Sequence, residues 1–296
     1  MPSMGFRKHV RSFWRSLAQP ARVTVSAARR DRNGFSVHKV RSPYQAGSTQ
    51  IRVLLPDAMD SHQPYQVIYV LPVEPRNGRE YGDGLREVRE HGLHNRYRTV
   101  FVSPTFSCVP WYADNPSDPA VRQEAYLLEA VIPFVDKTYP VIARREGRLL
   151  LGFSKSGWGA CSLLLRHPEL FERAALWDAP LMMAWPTQWD LRGIFATGEN
   201  FARYEARRLL LEQRALSGGQ CRLWLGGYRV FRSHHQELHA LLEQLRIPHE
   251  YHDGPDRAHV WQSGWVSDAV AWLAGAQDAH ERAQLEKIES AGKLQA

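Results

Sequence analysis

The chain has 296 residues, 44% of them hydrophobic and ten of them tryptophan, which is enough apolar mass for one large core. Its net charge of +7 is uneven: residues 1–41 hold ten Lys or Arg against the single acid Asp31, so that segment carries +9 and the remainder −2. Three scattered cysteines, Cys108, Cys161 and Cys221, argue against a disulfide framework and for free thiols. No run reaches the roughly 18–20 apolar residues of a membrane span, and no secretory apolar region opens the chain, so a soluble, cytoplasmic protein is expected.

Within an expected arm of residues 1–34, Phe6, Val10, Phe13, Trp14 and Leu17 recur at helical spacing, with Arg7, Lys8, Arg11 and Arg15 largely between them. Such a basic amphipathic helix can dock on an anionic membrane surface, meet an acidic partner, serve as a transit segment, or pack on its own domain. No nucleic-acid recognition motif accompanies the charge, so no specific nucleic-acid partner is expected.

A main domain is expected over residues 35–276. It opens with two β-like segments, Phe35–Ser42 and Gln50–Leu55, which suit an antiparallel start to a sheet. Tyr65–Leu71, Tyr97–Val102, Arg148–Leu151, Arg173–Trp177 and Arg222–Leu225 then read as buried strands, with a short one near His249–Tyr251. Helices are predicted over Ala120–Tyr139 (kinked or ended early at Pro133), Ser233–Leu245 and Ser263–Ala274. Buried strands alternating with helices give an α/β fold whose mostly parallel central sheet is covered on both faces. Residues 277–296 form a polar tail.

The most specific local pattern lies where the Arg148–Leu151 strand meets the next helix, at Gly152-Phe153-Ser154-Lys155-Ser156-Gly157. Small residues flank Ser154 on both sides, as a sharp strand-to-helix turn with a strained serine at its apex requires. The pattern is that of a nucleophile elbow, with Ser156 where glycine is usual. A phosphate-binding loop at a helix N-terminus is the plainer alternative. A serine hydroxyl needs a base to take its proton. Of thirteen histidines, His259 alone sits on a loop after the last strand and before the final helix. The order serine then distant histidine suits an α/β-hydrolase fold.

These segments resemble the putative esterases of the α/β-hydrolase fold, which include the esterase D (S-formylglutathione hydrolase) and antigen 85 groups. The resemblance runs over about residues 36–275. It rests on Ser48–Pro56 with the Tyr65–Leu71 strand, on Trp111–Asp114, Glu124 and Ile132–Asp136, on the Gly152–Ala160 elbow, and on His259-Val260-Trp261 with Trp265. It implies a serine carboxylesterase acting on a small ester or thioester through an acyl-enzyme on Ser154. No cofactor and no metal are expected.

Two departures from the family pattern shape the rest of the site. The family carries its acid in the loop after the Arg222–Leu225 strand, where this chain reads Gly226-Gly227-Tyr228-Arg229-Val230-Phe231. Asp178, which ends the strand directly after the elbow helix, is the best substitute. Asp256 is a local alternative, and Asp178 could equally be a turn or helix cap before Pro180. After the first buried strand the family has His-Gly, whereas this chain has Pro72-Val73-Glu74-Pro75. The oxyanion donors are therefore expected to be the N–H groups of Lys155 and Val73. A degenerate hydrolase that only binds a ligand or partner is the rival that these departures support. Trp111, Tyr112, Trp177 and Met182 are candidates for a substrate pocket, although core packing explains such a cluster too. His234, His235 and His239 contain an i, i+4 pair but no third ligand nearby, so a solvated helix face is favoured over a metal site.

Overall fold

A computed structural model describes residues 22–60, 62–184, 192–213, 216 and 219–275. Among them the sheet has ten strands: β1 (Thr24–Val25), β2 (Arg29–Arg30), β3 (Ser36–Arg41), β4 (Thr49–Leu54), β5 (Val67–Val70), β6 (Val100–Pro104), β7 (Arg148–Phe153), β8 (Arg173–Trp177), β9 (Leu223–Tyr228) and β10 (Glu250–Asp256). They are ordered β1-β3-β4-β6-β5-β7-β8-β9-β10, with β2 also on β3. Pairing is antiparallel from β1 to β6 and parallel from β6 through β5, β7, β8 and β9 to β10.

The parallel strands read as unbroken apolar runs because both of their faces are covered. Tyr69, Leu150, Leu176 and Leu225 point to one side. There they meet Val135 of α4 (Ile132–Thr138), Leu164 of α5 (Ser154–Arg166) and Leu242 of α9 (Arg232–Gln244). Ile68, Leu149, Leu151 and Trp224 point to the other side. Their partners are Leu85 and Val88 of α1 (Gly84–Glu90) and Val266 and Val270 of a closing helix, residues 266–275. Short helices α2 (Leu93–Arg96), α3 (Gln123–Tyr126), α6 (Arg192–Phe195), α7 (Gly198–Ala202) and α8 (Ala206–Gln213) fill the connections.

The helix expected over Ala120–Tyr139 runs from Gln123 to Thr138 and does not end at Pro133. A π-turn, Leu127–Val131, separates α3 from α4, and Pro133 falls in the first turn of α4, where its missing N–H costs little.

One boundary is corrected. β1 and β2 lie within residues 1–34, yet both pair with β3, so the folded unit reaches back at least to Thr24. Of the surplus basic charge assigned to an arm, Arg22, Arg29, Arg30, Arg32, Lys39 and Arg41 belong to this exposed sheet edge. Charged side chains there discourage edge-to-edge pairing with another chain. The amphipathic helix expected over Phe6–Leu17 and the polar tail 277–296 lie outside the described residues. No helix among the described residues is long and apolar enough to cross a membrane.

Candidate active site

At the carboxyl end of β7 the chain turns directly into α5. Phe153 is extended (φ −137°) and Ser154 is left-handed (φ 51°), a strained conformation for a residue with a side chain. The turn closes only because its flanks are small. A Cβ on Gly152 would stand 2.3 Å from the Ser156 carbonyl oxygen, and one on Gly157 would stand 2.7 Å from Cβ of Ala179. Ser156 replaces the usual glycine without a clash because its hydroxyl turns back on the turn. It donates to the Phe153 carbonyl (2.9 Å) and accepts the Phe153 N–H (3.1 Å), and it is fully buried. Ser154, 9% exposed, is the hydroxyl left at the apex.

His259 and Asp178 meet across 81 residues of sequence: Nδ1 of His259 is 2.6 Å from Oδ2 of Asp178. Asp178 is wholly buried and left-handed (φ 36°) at the end of β8, a conformation that aspartate tolerates better than most residues. Its carboxylate accepts the N–H groups of Phe231 (2.8 Å) and Val230 (3.1 Å) from the loop after β9. The loop where the resembling family keeps its acid thus supplies amide donors here, and the carboxylate comes from the neighbouring strand. Burial alone would raise the Asp178 carboxyl, but the His259 hydrogen bond and the amides of residues 229–231 outweigh it. The group is held below its ordinary value, charged where the imidazole meets it.

The imidazole is caged by aromatic rings. Phe153, Tyr81, Phe231 and Trp177 have ring centroids 5.1, 5.8, 5.9 and 6.2 Å from that of His259. The ring next to the apex serine is therefore itself part of the histidine's seat. Tyr81 is placed by Glu74, whose carboxylate accepts the N–H groups of Glu80 (2.9 Å) and Tyr81 (3.3 Å), while the Tyr81 carbonyl accepts the Trp261 N–H (2.9 Å). The sequence marked Glu74 only as a departure from His-Gly. Tyr81, Phe231 and Phe153 were missed as neighbours of His259 because no spacing rule connects two loops and a strand end so far apart in sequence. Beneath Asp178, buried His235 accepts the Ala179 N–H through Nε2 (2.9 Å). Burial drives its pKa down to about 4, against the opposing pull of Asp178, so it is a neutral acceptor.

The remaining candidates are placed differently. Asp256 is exposed and faces Arg229 (3.3 Å), so it does not serve the His259 ring. Lys155 is the second residue of α5, in the turn whose N–H groups lack intrahelical acceptors. Burial lowers the pKa of its ammonium, with Glu74 and Glu80 opposing, and the group lies over the Tyr81 ring at 5.7 Å. Val73 is buried just past β5. Trp111, Tyr112 and Trp177, the candidates for a substrate pocket, are buried and packed against other groups. Trp111 is buried edge-on against Trp158 (5.6 Å), and Tyr112 donates its hydroxyl to the Pro72 carbonyl (2.6 Å). Trp177 is sandwiched between His259 and Trp265, whose ring is 5.3 Å away. Met182 stays half-buried, its N–H 3.2 Å from Nδ1 of His234.

Comparison with known proteins bears on the fold and on the stretch around the elbow. Residues 106–226, from just after β6 through the elbow into β9, match the family model described as Putative esterase. No curated protein sequence matches the chain. Among solved structures, an S-formylglutathione hydrolase from Agrobacterium tumefaciens superposes with a TM-score of 0.64 at 16% identity, covering 85% of this chain and 99% of that one. An S-formylglutathione hydrolase from Staphylococcus aureus gives 0.63 at 17% identity, with coverages of 81% and 98%. MPT51 from Mycobacterium tuberculosis gives 0.55 at 13% identity, with coverages of 87% and 98%. At such identities the superpositions establish the α/β-hydrolase fold, and the stretch of sequence that carries the elbow matches the model of an esterase family.

Proposed function

We propose that the protein is a serine carboxylesterase that cleaves a small ester or thioester through an acyl-enzyme on Ser154. The observation that carries this reading is the 2.6 Å contact of the buried Asp178 carboxylate with His259, with the left-handed Ser154 at the end of the neighbouring strand β7. The Asp178 carboxylate, held charged by the N–H groups of Val230 and Phe231, can only accept, so the hydrogen in this contact belongs on Nδ1 of His259. That tautomer leaves Nε2 unprotonated and able to act as base.

In the reaction, Ser154 Oγ attacks the substrate carbonyl carbon as His259 Nε2 removes its proton. The imidazolium so formed is stabilised by the charged Asp178. The carbonyl oxygen gains negative charge and is met by the N–H groups of Lys155 and Val73. His259 then gives the proton to the departing alkoxide or thiolate, leaving Ser154 acylated. Water, deprotonated by the same nitrogen, attacks the acyl carbon, and collapse of the second tetrahedral intermediate returns the proton to Ser154. The thioester alternative finds support in the S-formylglutathione hydrolases that share the fold. The basic N-terminal segment is part of the same proposal, as a contact to an anionic membrane surface or acidic partner.

Labelling with a fluorophosphonate probe tests the reading. Wild-type protein should incorporate one probe at Ser154 and lose esterase activity in parallel, and Ser154→Ala should incorporate none. Absence of labelling in folded wild-type protein would return the molecule to a ligand-binding role.

A further inference from the structure

At the other end of the sheet, the last turns of α9 and the residue before β10 bring together three groups separated in sequence. His239 and Glu243 lie four residues apart on α9, on one helical face, and His249 immediately precedes β10. One ligand atom from each falls within 4.8 Å of the other two. Nδ1 of His239 is 2.8 Å from Nε2 of His249, and that same Nε2 is 3.9 Å from Oε1 of Glu243. Among the described residues this is the one group of three such side chains so assembled.

The tautomers point to a cation. Nδ1 of His249 lies 2.9 Å from the Ile247 carbonyl oxygen, which can only accept, so Nδ1 carries the hydrogen and Nε2 presents its lone pair. A backbone carbonyl that fixes the far nitrogen in this way is the usual support behind a metal-ligating histidine. The His249 side chain is only 2% exposed, and the His239 ring is held by stacking on Tyr251 at 4.2 Å, so two of the three ligands are already oriented. Glu243, 67% exposed, supplies negative charge from the solvent side. In a tetrahedral zinc site two ligand nitrogens stand about 3.3 Å apart, so the 2.8 Å gap needs to open by only ~0.5 Å.

We propose that His239, Glu243 and His249 bind a divalent transition cation, Zn²⁺ by preference, with water completing the coordination. Two imidazoles and one carboxylate suit a borderline cation over Mg²⁺ or Ca²⁺, which favour all-oxygen sites. The site lies at the amino end of β10, opposite the elbow, so it takes no part in the hydrolytic step. Its effect is mechanical: it pins the far end of α9 to the sheet. The near end of α9 follows Phe231, which donates to Asp178, and carries His235, which accepts from Ala179.

The test uses full-length protein without a histidine tag, stripped with a chelator and titrated with ZnCl₂ by calorimetry and by thermal melting. Wild-type protein should bind one equivalent and gain about 5 °C in Tm at a hundredfold excess of zinc over Kd. His239→Ala should weaken binding by more than about 100-fold and abolish the Tm gain. Glu243→Gln, at an exposed position that cannot compromise folding, should weaken it about 10-fold with unchanged esterase activity. His252→Ala, which removes an exposed histidine paired with Glu250, should bind as wild type. A hydrogen-bonded histidine pair without metal affinity would show no zinc equivalent in wild-type protein, or the same affinity in Glu243→Gln. Either result overturns the proposal.

Discussion

The Ser156 hydroxyl is committed at both ends to the Phe153 backbone, whereas Ser154 carries the apex. Replacing Ser156 by alanine should cost about 1 kcal/mol of stability and leave most hydrolysis of short p-nitrophenyl esters. Ser154→Ala should abolish hydrolysis with an unaltered melt, and a dead Ser156→Ala would shift the nucleophile by two residues. Asp178 is argued from its charge. Asp178→Asn keeps the shape but offers an amide to His259 and should lower kcat by roughly 10²–10⁴-fold. Asp256→Asn, which removes only an exposed pair with Arg229, should change kcat less than about twofold. Near-wild-type kcat in folded Asp178→Asn would leave a Ser–His dyad.

Elements are locked together by buried polar groups, and these set the acid stability. Glu124 of α3 receives Arg166 from the end of α5 in a bidentate contact (2.8 and 2.9 Å), His167 (2.7 Å) and the Tyr204 hydroxyl (3.1 Å). Burial would raise its carboxyl, but His167 and Arg166 together pull it down to about 2. A depressed carboxylate adds stability above its ordinary value, and that stability is lost as pH falls from there through about 2. His235 on α9 works in a higher window. Burial lowers it to about 4, so its neutral form adds stability above its ordinary value of 6.5, lost as pH falls towards 4. That limb is worth about 3 kcal/mol. Denaturant midpoints measured between pH 7 and 4 should therefore fall in wild-type protein and fall much less in His235→Gln, which keeps an acceptor for Ala179 without titrating. Equal slopes would remove His235 from the account. Glu124→Gln, which strands Arg166 in a largely buried position, should cost about 3–5 kcal/mol at pH 7.

For the whole molecule, the question is where the folded unit ends and the basic surface begins. Residues 1–21 carry Arg7, Lys8, Arg11 and Arg15 and no acid, while the rest of the basic surplus of residues 1–41 lies from Arg22 onward, in and beside the first strands. Removing residues 1–21 should leave Tm and esterase activity intact but weaken binding to phosphatidylserine vesicles by at least about tenfold, given about 1 kcal/mol per basic residue near such a surface. Removing residues 1–33 should lower Tm as well, because it strips β1 and β2 from β3 and bares its edge. Equal vesicle binding by both truncations and wild type would confine the basic surplus to solubility.

The buried strands and the small-residue turn around Ser154 could be read from sequence because both are local. A strand covered on two faces must be apolar throughout, and a left-handed serine admits only small neighbours. His259 was legible from its place after the last strand, and Asp178 from its place at the end of β8. Their 2.6 Å meeting, with the donation of Val230 and Phe231 to the carboxylate, exists only once β8, β9 and the final loop are packed. Two-residue strands at Thr24 and Arg29 carry no periodicity, so their pairing with β3 depended on the sheet edge being there to receive them. Tryptophan content could not say which rings would pack together; the packed layers bury Trp111 against Trp158 and Trp177 against Trp265. The approach of His249 to His239 was equally invisible, since Glu243 shares the helix face of His239 but His249 reaches it only when the chain doubles back from α9 into β10. Local steric rules set the elements and the apex, and long-range packing chose the partners.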